Sequence, residues 1–153
     1  MYALNLPLYD AKVKKTDLGF EIFDVLRRKY VALTPEEWVR QNFVHYLKNE
    51  KNYPYSLMAN EASIRLNSLS KRCDTVVYDK QLNPLMICEF KKPEVEISQT
   101  VFDQIVRYNI VLKVKYLVVS NGMRHYCCKM DYENQSVTYL SEIPDYKSIV
   151  NNS

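Results

Sequence analysis

The chain has 153 residues, 47% hydrophobic and 25% charged, with a net charge of +3. That length suits one compact α/β-sized domain with a real core, and the composition is ordinary for a globular protein. No run of 18 apolar residues exists to form a membrane span, and the start Met1-Tyr2-Ala3-Leu4 carries no signal-peptide pattern, so a cytoplasmic location is the expectation. Only two glycines occur, Gly19 and Gly122, which rules out a P-loop and a dinucleotide fingerprint within these residues. The four cysteines, Cys73, Cys88, Cys127 and Cys128, lack zinc-ligand spacing and read as reduced, mostly buried thiols.

In chain order, Leu4–Tyr9 is apolar, and Phe20–Phe23 reads as a short strand ahead of the basic cluster Arg27-Arg28-Lys29. Thr34-Pro35-Glu36-Glu37 is a strong helix start. Thr34 is a good N-cap, Pro35 suits the first turn, and Glu37 stands where a capping box places its acid. Val39, Phe43, Tyr46 and Leu47 recur at helical spacing, so a helix is predicted to near Glu50.

From Met58 the pattern alternates, with Ile64 and Leu66 on one side and Ser63, Arg65 and Asn67 on the other. A basic turn, Ser70-Lys71-Arg72, is predicted to lead into a strand Cys73–Tyr78. A polar turn over 79–84 and an apolar strand Leu85–Phe90 follow. Ser98 is expected to cap a helix running to Leu112, with Val101, Ile105, Tyr108 and Leu112 on one face. Tyr116–Ser120 reads as a buried strand, Asn121-Gly122 as a hairpin turn, His125–Met130 as its partner, and Ser136–Leu140 as an edge strand. His125 is expected on the strand surface and Asn151-Asn152-Ser153 as a fraying tail. The order predicts a single α/β domain over 1–153, its core at about 34–140, with a mixed sheet flanked by two main helices.

Asp74 starts one predicted strand, and Glu89 and Lys91 leave the next, two apart so that both point to one face. A short turn joins the strands, so they should pair and set Asp74 beside Glu89. Two adjacent carboxylates repel unless a cation neutralises them. Mg²⁺ favours one or two carboxylates with waters and phosphate oxygens, and a neighbouring lysine can orient water, as phosphodiester hydrolysis requires. On spacing alone a solvated sheet edge remains an alternative.

The stretches Arg72-Cys73-Asp74-Thr75-Val76-Val77-Tyr78 and Pro84–Pro93, the latter containing Glu89-Phe90-Lys91, resemble the N-terminal nuclease domain of type I restriction enzyme R subunits. Gln104-Ile105-Val106-Arg107-Tyr108 fits the Q-x-x-x-Y motif of RecB-type members of the PD-(D/E)xK superfamily, and Thr34–Arg40 is similar to the family's first helix. The resemblance, spanning about Thr34 to Arg124, implies a restriction-endonuclease-like core. It implies that Asp74 and Glu89 hold Mg²⁺ or Mn²⁺, that Lys91 orients water, and that Gln104 and Tyr108 help position DNA. It also implies an accessory acid on the first helix with an arginine four residues on. That spacing selects Glu36 with Arg40, facing inward with Val39 and Phe43, and leaves Glu37 to the cap. Phe90 departs from the small or polar residues frequent between Glu and Lys, but that position mainly offers a backbone carbonyl.

The activity so implied is metal-dependent DNA cleavage. The alternative is a nuclease-fold module that binds DNA or a protein partner with little or no cleavage. R subunits carry an ATP-driven translocase after this domain and these 153 residues hold none, so a restriction-modification or translocase partner is expected. A homodimer would suit double-strand cutting.

Overall fold

A computed structural model describes residues 2–151. The chain opens with a small antiparallel sheet, β1 (Val13–Thr16), β2 (Gly19–Asp24) and β3 (Lys29–Ala32), in that spatial order. Only the β2 portion was predicted from sequence. The flanking strands are only four residues long and mostly exposed, so they carry little hydrophobic periodicity.

Helix α1 (Pro35–Lys51) follows. Thr34 accepts a hydrogen bond from the Glu37 N–H, two glutamates sit in the first turn, and two lysines sit in the last, all favourable to the helix dipole. Asn52 ends it in the left-handed conformation at φ +62°, its N–H reaching Leu47 O.

Strands β4 (Met58–Leu66), β5 (Leu69–Tyr78) and β6 (Pro84–Phe90) form a meander. Helix α2 (Gln99–Ile110) crosses over to β7 (Tyr116–Ser120), then come β8 (His125–Asp131), β9 (Ser136–Leu140) and a short α3 (Tyr146–Asn151). The six strands lie in sequence order, and only β6–β7 is parallel, which is why that connection needs a helix.

This mixed sheet is covered on both sides. On one, Val39, Phe43 and Leu47 of α1 and Ile149 of α3 pack on Met86, Cys88, Phe90, Val118 and Cys127. On the other, Phe102, Ile105 and Val106 of α2 pack on Val76, Ile87, Leu117, Val119 and Cys128. Alternate residues of one strand serve opposite cores, which explains the continuous apolar runs at 85–88 and 116–119. The four cysteines are free and buried; burial pushes the Cys73 thiol to about 11 and Cys127 and Cys128 to about 12. Among the described residues no helix is long and apolar enough to cross a membrane.

Several expectations need correction. Ser70-Lys71-Arg72 is not a turn but the body of β5; the reversal occurs at Asn67, whose φ is +56°. The long hairpin is held by pairing from Met58↔Val77 to Leu66↔Leu69, broken only at Glu61. The buried face of α2 is Phe102, Ile105, Val106 and Asn109, so Tyr108 points outward, 72% exposed. Helix α2 stops at Ile110, and Leu112 is buried in the turn beyond it. His125 is half-buried, with Nδ1 2.7 Å from Ser120 Oγ and Nε2 2.8 Å from Asn5 O. Asn151 closes α3, while the Asn152-Ser153 part of the expected fraying tail lies outside the described residues.

Candidate functional site

The β5–β6 register pairs Thr75 with Cys88, so Asp74 and Glu89 stand one step further along the same ladder. There the Phe90 N–H donates to Asp74 Oδ2 at 2.8 Å, and Lys91 N–H donates across to Ser120 O at 2.9 Å. These two bonds, one to a side-chain carboxylate and one to a backbone carbonyl, fix the exit of β6 between β5 and β7. Lys91 Nζ lies 3.8 Å from Glu89 Oε2, and Lys71 Nζ of β5 lies 3.9 Å from Glu89 Oε1. Asp74, Glu89 and Lys91 all line one open cavity of about 680 Å³. Burial raises the Asp74 carboxyl above the usual aspartate value, opposed by the Phe90 N–H and by the charges of Arg40 and Lys91.

On its α1 side the cavity is bounded by a chain of alternating charges. Arg27 contacts Asp24 and donates from Nη2 to Glu37 Oε1 at 2.8 Å. Arg40 binds Glu37 through Nε and Nη2 at 2.9 and 2.7 Å, Glu61 at 3.0 Å, and the Asp74 carbonyl at 2.7 Å. Arg72 closes the chain on Glu61 at 2.9 Å.

Glu37 is therefore a buried structural acid. Burial would raise its pKa, but hydrogen bonds from Arg40 and Gln41 and the charges of Arg40 and Arg27 hold it below the ordinary value. This corrects the inward placement of Glu36. That side chain is exposed at the cavity rim, and the arginine four residues on is engaged by Glu37 instead. The first half of the expected capping box forms, the Glu37 N–H donating to Thr34 Oγ1 at 3.0 Å. The Glu37 carboxylate leaves the box for two guanidinium groups, which offer it charge as well as hydrogen bonds.

Glu61 went unrecognised in the sequence. It stands between the Asn60↔Thr75 and Ala62↔Cys73 pairs at φ +53°, which brings a third acid to the row Glu61, Asp74, Glu89. Only the β4–β5 register reveals it, and no sequence signal marks that register.

Gln104 and Tyr108 do not line this cavity. With Arg107 they border a separate shallow one of about 450 Å³. Lys71 joins the two places: its Nζ is 3.0 Å from Asn109 Oδ1 and 5.6 Å from the centre of the Tyr108 ring.

No group of three or more His, Cys, Asp and Glu side chains that could hold a metal occurs among the described residues. The pair Asp74 and Glu89 nonetheless suits a hard divalent ion. Among the described residues, Asp74 has one oxygen without a hydrogen bond, and Glu89 meets only two ammonium groups, both beyond hydrogen-bond distance. Both present carboxylate oxygens, and waters and phosphate can complete such a shell.

Residues 35–144 match the family of the type I restriction enzyme R protein N terminus. The chain belongs to that family. A solved fragment of a protein assigned as the HsdR subunit of a type I restriction enzyme from Vibrio vulnificus YJ016 superposes with a TM-score of 0.54 at 19% identity, covering 79% of this chain and 25% of that one. The R-protein N-terminal fold, a mixed sheet with helices on both faces, is therefore shared, whereas this chain spans about a quarter of that relative's length. No curated protein matches it. Within the R-protein family the matched segment contains Glu37, Asp74, Glu89, Lys91, Gln104 and Tyr108, and it leaves the β1–β3 sheet outside.

Proposed function

We propose that this chain is a metal-dependent DNA endonuclease domain that hydrolyses phosphodiester bonds. The observation that carries this reading is the convergence of Asp74, Glu89 and Lys91 from adjacent strand ends on one open cavity. Asp74 and Glu89 would hold Mg²⁺ or Mn²⁺, which when bound stabilises negative charge on phosphate and acidifies water. Lys91 offsets the charge of Glu89 and presents N–H donors that can orient a water or a phosphate oxygen. The Phe90 N–H keeps one Asp74 oxygen turned inward, so the other is presented to the cavity. Arg40 holds the Asp74 carbonyl and so fixes the backbone that carries the carboxylate. Gln104, Arg107 and Tyr108, beyond Lys71, offer a polar and aromatic surface on which a strand leaving the cavity can rest. Glu36 at the rim is an accessory acid at most.

Family membership supports a restriction-modification setting, with a translocase supplied by another segment or subunit and DNA as the shared substrate. Paired copies would be needed to cut both strands, since one site cuts one strand at a time.

A second reading is a binding module with weak or absent cleavage. It is favoured by the two lysines at Glu89, which neutralise that acid without a metal. Incubating supercoiled plasmid and single-stranded DNA with Mg²⁺ or Mn²⁺ separates the two. Cutting by the wild type that disappears in Lys91→Ala supports the nuclease. A folded wild type that binds metal but leaves both substrates intact moves the weight to the binding module.

A further inference from the structure

The small β1–β3 sheet plays no part in the site chemistry above, yet it forms a wall of the same cavity through Arg27, Val31 and Ala32. It is firmly docked there. Ile22 and Asp24 are fully buried, and Asp24 is held by Asn60 at 3.0 and 3.1 Å and by Arg27, which continues to Glu37.

Its charge is unusual for the chain. Residues 12–32 contain six Lys or Arg and three Asp or Glu, which equals the net charge of +3 of the whole protein. The other segments are neutral together, and the cavity itself is lined by five acids, Glu36, Glu37, Glu61, Asp74 and Glu89, against three cations, Arg27, Arg40 and Lys91. With acids in excess there, further cations on the adjoining sheet favour the approach of a phosphate backbone, an effect that reaches about 10 Å, the screening length at moderate salt.

Three exposed cations of the sheet, Lys15, Arg28 and Lys29, have no ion-pair partner among the described residues. Lys14, by contrast, lies 3.7 Å from Glu21 and over the Tyr30 ring. Lys15 pairs across the ladder with Phe20, which is 56% exposed and offers a ring beside the charge for a sugar or base.

We infer that the β1–β3 sheet is a DNA-backbone contact surface, with Lys15, Arg28 and Lys29 as its phosphate-binding groups and Phe20 beside Lys15. The inference rests on the DNA reading above and adds a surface outside the matched family segment. Because the sheet is pre-docked, binding orders little chain, and the contacts act on affinity rather than on bond cleavage. They carry no sequence information.

The test is fluorescence anisotropy with the full chain and a short labelled duplex of mixed sequence, in EDTA, across a salt series. The variants are Lys15→Gln/Arg28→Gln/Lys29→Gln and the charge-keeping Lys15→Arg/Lys29→Arg. All the substituted sheet residues are exposed, and thermal melting verifies folding. The expected result is wild-type binding whose log–log salt slope falls by about 2 to 3 in the triple variant, about 0.9 for each lost phosphate contact. The arginine variant should retain the wild-type slope. A triple variant with unchanged affinity and slope overturns the surface while leaving the nuclease reading intact. A wild type that binds no DNA overturns both.

Discussion

Glu36 and Glu37 are adjacent glutamates in one helical turn, and their substitution should have very different consequences. Glu37 is 6% exposed and accepts four hydrogen bonds: two from Arg40 at 2.7 and 2.9 Å, one from Arg27 at 2.8 Å and one from Gln41 at 3.0 Å. Glu37→Ala leaves Arg40 buried, although Glu61 and the Asp74 carbonyl still serve that guanidinium. Removing one partner of a buried pair costs about 3–5 kcal/mol, and the surviving contacts favour the lower end. For a chain of this size about 3 kcal/mol is a fall in Tm of about 6–12 °C. Glu36→Ala removes an exposed carboxylate with no hydrogen bond among the described residues, so its effect should stay within about 0.5 kcal/mol. Urea denaturation of both variants, with a thermal melt of each, checks the difference. A Glu37→Ala protein melting within a degree of wild type, or a larger loss in Glu36→Ala, would refute the assignment of Glu37 as the buried acid.

The same network sets the acid lability. The folded-state pKa values of Glu37 and Asp24 are held below the ordinary 4.5 and 3.8 by their arginine and amide partners. Their stabilisation is therefore fully present above those values and lost as pH falls through the lowered ones. Glu37→Ala should flatten the loss of stability on acidification below pH 4.5, and an unchanged acid limb would count against it. Mn²⁺ or Mg²⁺ at about 100 times its dissociation constant should stabilise the wild type by about 2.7 kcal/mol. Asp74→Ala should lose that thermal shift, and a wild type without one would remove the metal from the reading. Phe43, fully buried with its ring 5.5 Å from that of Phe90, should cost about 3–5 kcal/mol when cut to alanine; a loss below 1 kcal/mol in denaturant titration would contradict the packing. Gly122→Ala should destabilise by about 1–2 kcal/mol, because its φ is +86° and the added methyl would lie 2.7 Å from Leu4 Cδ2. Equal stability in urea would show that the hairpin relaxes there.

Sequence by itself determined the elements whose information is local. Thr34-Pro35 and Ser98 announce helix starts because capping is a matter of neighbouring residues. The apolar runs of β6 and β7 announce buried strands, and the two-residue spacing of Glu89 and Lys91 places them on one side of a strand exit whatever surrounds it. The Asp74-to-Glu89 adjacency was also legible, because a short turn leaves adjacent strands little choice of register.

Tertiary structure decided what depends on partners distant in the chain. A helical count puts Glu36 on the side of Val39 and Phe43, yet Glu37 is the one that turns inward, because Arg27, from the preceding sheet, and Arg40 meet there. Glu61 joins the site only through the β4–β5 register, and Tyr108 faces outward because the α2 core is built on Phe102, Ile105 and Val106. The β1–β3 sheet was the least legible element: its strands are short and largely exposed, and what anchors them includes the buried pairing of Asp24 with Asn60, 36 residues away, a contact no local pattern encodes.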